Sequence, residues 1–283
     1  MCARYGGSVA RAIELVHQWP VDAVAAASVI DDDVTIVGLR EQRFPLASLT
    51  KLTTAMAVLI AVEEGTLALD DEIASLLDLP NLAPLRIAEL LSHSSGLAPD
   101  PPAHRLAPEG RRRIYSNAGY ELVAVAVARR SGIPFETYLH DAVFAPLAMR
   151  STALIGSPAS GVMSTIEDLV RFLRELREPR LVSAATHQRM VTPRYPGLGG
   201  ILPGFGRQVD NSWGLGPEIR DHKSPHWTGT LNSPETYGHF GRSDTFSWWD
   251  PAVRRGVIAL TTRKFGDWAS VEWPRLSDAV LSE

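Results

Sequence analysis

A serine and a lysine lie three positions apart where a long apolar segment of this sequence begins. They are Ser48 and Lys51, in the stretch FPLASLTKLTTAMAVLIAVEEG. Residues three apart on a helix share one face, so the lysine amine could reach the serine hydroxyl, as a nucleophilic serine requires. A cation in the first turn of a helix is disfavoured by roughly 0.3–1 kcal/mol, because the helix dipole is positive there. Burial among apolar neighbours would lower the pKa of this lysine and allow it to act as a base.

Ser48 also has a purely structural interpretation, as the residue that caps the N-terminus of the predicted helix. A Ser-x-x-Lys pattern arises by chance in most long chains. A capping box, however, has Glu or Gln at the third helical position, where this sequence has Lys51. The lysine therefore has a chemical explanation and lacks a structural one.

Two further short motifs follow along the chain, Tyr115-Ser116-Asn117 and His239-Phe240-Gly241. The first directly precedes a strongly predicted helix, and the second lies near the start of the last β region. Taken alone, the first is an ordinary helix cap, and the second is a loop histidine before a turn glycine. Their significance depends on their occurring together with Ser48 and Lys51, in this order.

The elements that must position these motifs are helices in the middle of the chain and strands towards both ends. The apolar run from Val24 to Ile30 predicts a buried strand, which returns after an Asp-rich turn as Val34 to Leu39. Strands recur from Tyr237 onwards. Helix start and stop signals predict helices at Ser8–Trp19, Ser48–Glu64, Asn117–Ser131, Thr165–Leu176 and Trp273–Leu281.

This order of elements predicts an α+β fold. We expect an antiparallel sheet built from both chain ends, flanked by N- and C-terminal helices, with an inserted, mainly helical lobe. A single catalytic domain would span residues 1–283, with a sheet lobe of about 1–47 and 205–283 and a helical lobe of about 48–204.

Together, the three motifs resemble those of the serine β-lactamase and penicillin-binding-protein superfamily. Class C β-lactamases, DD-peptidase-like proteins and family VIII carboxylesterases carry Ser-x-x-Lys, then Tyr-x-Asn, then Lys-Thr-Gly or His-x-Gly. The segments FPLASLTK, LLSHSSGL, IYSNAGY and GHFGRSDTFSWWDP each look like segments of this family. The resemblance runs from about Val24 to the C-terminus and implies a β-lactamase/transpeptidase-like fold.

The resemblance also implies a role for each motif residue. Ser48 would be the acylated nucleophile, and Lys51 and Tyr115 would share the work of general base and general acid. Asn117 would bond Lys51 or a substrate amide, and His239 would take the cationic or donor position of the third motif, facing the substrate. The backbone N–H groups of Ser48 and of Arg242, which follows Gly241, would form the oxyanion hole.

The sequence departs from the family pattern at the third motif. His239 replaces a lysine that helps β-lactamases to hold the substrate carboxylate, and histidine is largely neutral at pH 7. Phe240 replaces a small hydroxyl residue. Arg242 could restore a positive charge near a substrate carboxylate, or could pair with Asp244. These changes weaken the β-lactamase interpretation and favour an esterase or a peptidase. We expect a serine hydrolase that acts on a small ester or amide, with β-lactamase or D-amino-acid peptidase activity as the alternative.

The composition indicates which partners, cofactors and cellular location to expect. The chain has 283 residues, a formal net charge of −4, 45% hydrophobic and 21% charged residues, as is usual for soluble globular proteins. We expect no nucleic-acid partner, no membrane partner, no metal and no cofactor. The single cysteine, Cys2, cannot form an internal disulfide. No signal-peptide pattern is present in residues 1–30, so we expect a cytoplasmic protein.

Three other interpretations deserve comparison. An α/β-hydrolase needs Gly-x-Ser-x-Gly, and the segment from Gly241 to Thr245 lacks the last glycine. A zinc site at His222 and His226 is disfavoured, because Pro225 lies between them and no Glu follows His222. A non-catalytic penicillin-binding or ligand-sensing domain of the same fold is disfavoured because all three motifs are intact.

The substrate is left open by the motifs. The segment 193–238 is rich in Gly, Pro and Trp and is predicted to form long loops or a decorated hairpin. We hypothesise that its aromatic residues line an apolar acyl pocket. These residues are Tyr195, Phe205, Trp213 and Trp227.

Overall fold

The structure is a computed structural model, and it describes residues 11–283. Its strands are β1 (Val24–Ile30), β2 (Asp33–Gly38), β3 (Phe44–Pro45), β4 (Ala153–Leu154), β5 (Val162–Ser164), β6 (Gly200–Leu202), β7 (Gly206–Gln208), β8 (Glu218–Ile219), β9 (Tyr237–Gly241), β10 (Thr245–Asp250) and β11 (Arg255–Thr261). Its α-helices are α1 (Thr50–Glu63), α2 (Ile73–Leu76), α3 (Ile87–Leu91), α4 (Asn117–Ser131), α5 (Phe135–Leu139), α6 (Ile166–Arg177), α7 (Ala184–Met190) and α8 (Asp267–Leu281). Short 3₁₀ segments occur at Ala12–Gln18, Ala47–Leu49 and Pro80–Leu82, and a π-helical turn occurs at His140–Phe144.

Both ends of the chain contribute to one six-stranded antiparallel sheet, in the order β2-β1-β11-β10-β9-β8. Strand β1, from the N-terminal part, pairs along its whole length with β11, from the C-terminal part, with Ala27 opposite Ile258. Strand β10 pairs with β9, with Ser247 opposite His239. The predicted α+β class and the sheet built from both chain ends are therefore confirmed.

Hydrophobic side chains lie on both faces of the sheet, because alternate residues of a strand point to opposite faces. Ala25 and Ala27 of β1 belong to the larger core, which includes helix α1. Ala26, between them, belongs to a second core beneath α8 and the 3₁₀ segment Ala12–Gln18. The second core is rich in aromatic rings, among them Trp19, Trp227, Phe246, Trp248 and Trp273. The sheet is thus the middle layer of three.

Several predicted boundaries agree with the structure and others need correction. Helix α4 has the predicted bounds and ends at Gly132, whose φ of 72° is the left-handed conformation that glycine favours. Ser8 lies outside the described residues, and the described part of the predicted first helix is a 3₁₀ segment. Helix α8 begins at Asp267, not at Trp273. Its buried residues, from Ala269 to Val280, continue through Pro274, so packing outweighs the usual helix-breaking effect of an internal proline.

The segment 193–238 contains only short strands, and a buried ion-pair network holds its second half. The Glu218 carboxylate forms an ion pair with Lys223 Nζ (3.2 Å) and accepts from His226 Nε2 (2.9 Å). It also accepts from Trp227 Nε1 (2.5 Å). Burial opposes ionisation of Glu218, but the Lys223 ammonium and the His226 ring lower its pKa to about 2. Because β8 carries Glu218 and pairs with β9, this network also supports the strand that bears His239.

We predict that Glu218→Gln destabilises the protein by about 3 kcal/mol, because it leaves the Lys223 charge buried without its counter-charge. The measurement is the free energy of unfolding from urea titration. Glu218→Gln combined with Lys223→Met should recover most of the loss. Glu167→Gln, which removes the exposed Arg40–Glu167 pair, should cost less than about 1 kcal/mol. Equal costs for the two single variants would contradict the prediction.

Candidate active site

Ser48 lies in the 3₁₀ turn Ala47–Leu49 that leads into helix α1, and it is partly exposed. The N-cap position of α1 is Leu49, and no side chain in the described part of the chain caps the helix. The capping interpretation of Ser48 is therefore wrong, and its hydroxyl is not committed to the helix backbone. Ala47, directly before it, has a φ of 46°, a conformation that is sparsely populated by residues other than glycine and is often found at functional sites.

Lys51 is completely buried in the first turn of α1. Its Nζ donates to Asn117 Oδ1 (2.6 Å) and to the Ala159 carbonyl (2.9 Å). The amine lies 4.7 Å from the centre of the Tyr115 ring. Burial lowers the pKa of Lys51 to about 7, and the carboxylates of Glu121 and Asp100 limit the fall. Near neutral pH a large fraction of this amine is unprotonated and can accept a proton.

The Tyr115 ring lies among the rings of His93 (4.5 Å between centroids), Trp213 (5.8 Å) and His239 (5.9 Å). Its hydroxyl forms no well-aligned hydrogen bond with the described residues. Burial raises the pKa of the Tyr115 phenol well above its usual value, and the neighbouring Ser48 hydroxyl lowers it in part. Tyr115 thus holds its proton at neutral pH and faces Ser48.

Asn117 is the first residue of α4, but it is not the residue that caps the helix. Ser116 is the N-cap, and its Oγ accepts from Gly119 N (3.1 Å). The Asn117 side chain is therefore free to enter the site, where Oδ1 accepts from Lys51 and Nδ2 donates to Asp100 Oδ1 (2.7 Å). The two ends of one amide thus contact a buried amine and a rim carboxylate.

His239 is buried in the middle of β9, against Tyr115 and Trp213. Its Nδ1 lies 2.6 Å from the Phe240 carbonyl, which can only accept, so Nδ1 carries the proton and Nε2 is an acceptor. Burial, helped by the Lys51 charge, lowers the pKa of His239 to about 3. The ring is therefore neutral near pH 7, and His239 does not supply the positive charge that is one of the two roles expected for this position.

Phe240 points to the other face of the sheet, because neighbouring residues of a strand alternate. Its ring packs on Phe205, Trp227 and Trp273 in the second core. Its replacement of a hydroxyl residue therefore changes the core rather than the side chains around Tyr115. Phe205 and Trp227 are buried in this core, so the hypothesis that they line an acyl pocket is wrong.

Gly241 brings the end of β9 against the turn that bears Ser48. A Cβ atom at position 241 would lie 2.6 Å from the Leu46 carbonyl oxygen and 2.9 Å from Ala47 Cβ. Thr245 Oγ1 also donates to the Leu46 carbonyl (3.0 Å). Glycine is therefore the residue that allows the first and third motifs to meet.

Arg242 lies at the start of the turn between β9 and β10, and its side chain is exposed. Its carbonyl accepts from Phe265 N (2.9 Å). No backbone hydrogen bond within residues 11–283 uses the N–H of Ser48 or of Arg242, so both amides are available to a ligand. Arg242 forms no ion pair with Asp244 in the described chain, but its charge lowers the pKa of Tyr115 in part. Of the two expected roles, pairing with Asp244 is wrong.

Two contributors to the site were missed from the sequence. The Ala159 carbonyl is a backbone group, so residue type gives no signal for it. Asp100 lies in the segment PDPPAH, whose prolines predict a loop but not its contact with Asn117. His93 accepts from Ser116 N at Nδ1 (3.1 Å) and so helps to place the second motif.

We predict that Gly241→Ala lowers kcat/KM at least about tenfold, because the new methyl group must separate β9 from the Ser48 turn. The cost in stability should be about 1–3 kcal/mol, as for other overpacked sites. Steady-state hydrolysis and urea unfolding measure the two effects. Gly266→Ala is the matched control, since its Cβ would meet no atom closer than 3.8 Å. Equal activities for the two variants would show that this contact does not matter.

Comparison with known proteins agrees with this geometry. A sequence model of the beta-lactamase family, described simply as "Beta-lactamase", matches residues 23–281. The crystal structure of a beta-lactamase from Mycobacterium bovis is similar with a TM-score of 0.90 and 46% identity, covering 96% of this chain and 98% of that one. EstCE1, a hydrolase with promiscuous acyltransferase activity, has a similar fold, with a TM-score of 0.79, 17% identity and coverage of 94% and 95%.

Curated relatives match over shorter segments. The D-alanyl-D-alanine-carboxypeptidase/endopeptidase AmpH of Escherichia coli K12 is 28% identical over 142 residues, which are 40% of this chain and 37% of AmpH. A putative D-alanyl-D-alanine carboxypeptidase of the same organism is 25% identical over 78% of this chain and 69% of its own length. With its fold and the match over residues 23–281, the chain belongs to the beta-lactamase family of hydrolases.

Proposed function

We propose that this chain is a serine hydrolase that forms an acyl-enzyme on Ser48 and acts on a small ester or amide. The observation that carries the proposal is the buried Lys51 amine, whose pKa is about 7 and whose hydrogen bonds go to two neutral oxygens. Such an amine can accept the proton of a serine hydroxyl without a prior costly deprotonation. Family membership supports hydrolysis in general, and the choice of an ester or amide rests on the site.

In this mechanism Lys51 takes the proton from Ser48 as the serine attacks the substrate carbonyl. Tyr115, which keeps its own proton near pH 7, is suited to donate a hydrogen bond and then a proton to the leaving group. The free N–H groups of Ser48 and Arg242 would stabilise the oxyanion. Water then attacks the acyl-enzyme and gives a proton to the Tyr115 phenolate, while Lys51 returns its proton to the Ser48 oxygen as the product acid leaves.

The surroundings of His239 favour an ester or simple amide over a β-lactam or a D-peptide. A lysine at this position would offer a cation to a substrate carboxylate, whereas the His239 ring is neutral and its Nε2 can only accept. Arg242 supplies a cation at the end of β9, and it is exposed. β-Lactamase or D-amino-acid peptidase activity is the second candidate, favoured by the names of the relatives.

Ser48→Ala should abolish both turnover and covalent labelling, because it removes the attacking oxygen. We would test wild type and variant with short- and long-chain esters, nitrocefin and a D-Ala-D-Ala peptide, together with a fluorophosphonate and a labelled penicillin. The expected result is hydrolysis of esters above nitrocefin and the peptide, and a label on Ser48. Labelling that survives Ser48→Ala, or no labelling of wild type by either probe, would refute catalysis at Ser48 and favour a non-catalytic binding domain.

The rate should depend on the protonation of Lys51. Because Lys51 acts unprotonated, kcat/KM should fall about tenfold per pH unit below its pKa of about 7. Asp244 needs a control, since burial raises the pKa of this carboxyl to about 7 as well, and neither of its oxygens accepts a hydrogen bond within residues 11–283. Asp244→Asn should therefore leave the midpoint of the pH profile of kcat/KM unchanged. A flat profile between pH 5 and 9, or a midpoint lost in Asp244→Asn, would contradict the role of Lys51.

A further inference from the structure

A carboxylate stands at the rim of the site, held in place by the second motif. The backbone N–H of Asn117 donates to the Pro99 carbonyl (2.6 Å), and the Ser116 hydroxyl donates to the Ala98 carbonyl (2.7 Å). Ala98 N in turn donates to the His104 carbonyl (2.9 Å), which closes the loop. The chain directly before Asp100 is thus fixed to the first turn of α4, and Asp100 cannot move far from Asn117.

Asp100 is exposed, and within residues 11–283 it forms no salt bridge. One of its oxygens accepts from Asn117 Nδ2 (2.7 Å). A carboxylate has lone pairs beyond that single bond, so it can accept further hydrogen bonds from a ligand. Its negative charge raises the pKa of both Lys51 and Tyr115. Asp100 is therefore close to the atoms that would surround a bound acyl group.

A second charge stands near Tyr115, with the opposite sign. Arg242, from the turn after β9, lowers the pKa of Tyr115, whereas Asp100, from the loop before α4, raises it. The two charges come from different elements and are not paired with each other in the described chain. Two opposite charges therefore stand on different sides of the site, the Asp100 carboxylate beside Asn117 and the Arg242 guanidinium at the end of β9.

We propose that Asp100 selects substrates whose acyl group carries a protonated amine, that is, aminoacyl esters or amides. A bound ammonium would donate to the carboxylate oxygen that Asn117 leaves free. An acyl group with its own carboxylate would be repelled by Asp100. The proposal deepens the proposed function and rests on acylation of Ser48, since a preference among acyl groups has meaning only if Ser48 is acylated.

The test compares two nearly isosteric substrates, the 4-nitrobenzyl esters of alanine and of isobutyric acid, which differ in an ammonium in place of a methyl group. Because the ammonium group also activates the ester carbonyl, the preference is measured relative to hydrolysis by hydroxide. On this scale wild type should prefer the alanine ester about three- to fivefold in kcat/KM, as expected for a solvent-exposed ion pair. The preference should shrink when NaCl is raised from about 0.05 to 0.5 M, because salt screens such pairs. Both enantiomers of alanine should be measured.

Asp100→Asn is the informative variant, because its amide oxygen can still accept from Asn117 Nδ2 while the charge is lost. The ratio of the two kcat/KM values should fall to about the ratio that hydroxide shows towards the same two esters, whatever happens to the common rate. Glu136→Gln, which removes an exposed charge elsewhere, should keep the ratio. An absent preference in wild type, or one unchanged in Asp100→Asn, would overturn the proposal and leave Asp100 as a residue that only positions Asn117.

A second readout does not need turnover. Fluorophosphonates with a trimethylammonium tail and with the isosteric tert-butyl tail should label Ser48 at different rates in wild type, the cationic one faster, and at equal rates in Asp100→Asn. Equal rates in wild type overturn the role of Asp100 while acylation of Ser48 stands. If neither probe labels Ser48, acylation itself fails, and the proposal for Asp100 fails with it.

Discussion

The candidate site depends on how the Lys51 amine is buried. Both of its hydrogen-bond acceptors, Asn117 Oδ1 and the Ala159 carbonyl, are neutral, and the surfaces of Tyr115 and Tyr120 cover it. Desolvation penalises the charged form of such a group, and no carboxylate among residues 11–283 contacts Nζ to compensate for it. Glu121 and Asp100 act from a greater distance and only moderate the effect. A carboxylate in contact with Nζ would hold the proton and remove the base.

Lys51 contacts Asn117 and the Ala159 carbonyl, and the turn that bears Ser48 lies against Gly241. These contacts join segments that are far apart in the chain, so the site exists only in the complete fold. The antiparallel pairing of β9 with β10 sets which face His239 presents, and a shift of one residue would exchange it with Phe240. The same register places Gly241 against the Leu46 carbonyl, where a side chain would not fit. The aromatic core behind the sheet, with Phe240 and Trp273 in contact, opposes such a shift.

The sequence predicted what local patterns control. Strands β1 and β2, helix α4 and its stop at Gly132 follow from apolar runs and cap residues, and the mixed fold follows from their order. It did not predict contacts made by backbone atoms, such as the Ala159 carbonyl, or by loops, such as Asp100 with Asn117. Nor did it predict that α8 begins at Asp267, because packing overrides the local effect of Pro274. The catalytic and substrate-binding roles of the residues in all three motifs, and of Arg242, stay predictions.

Burial alone can assign different roles to Lys51 and Tyr115. The charged form of lysine is the protonated one and that of tyrosine is the deprotonated one, so the same desolvation lowers one pKa and raises the other. A lysine at position 239 would place a cation beside Tyr115 and favour its phenolate. The neutral His239 ring leaves the phenol protonated. The departure from the usual third motif thus favours a mechanism in which Lys51 accepts the first proton and Tyr115 donates one.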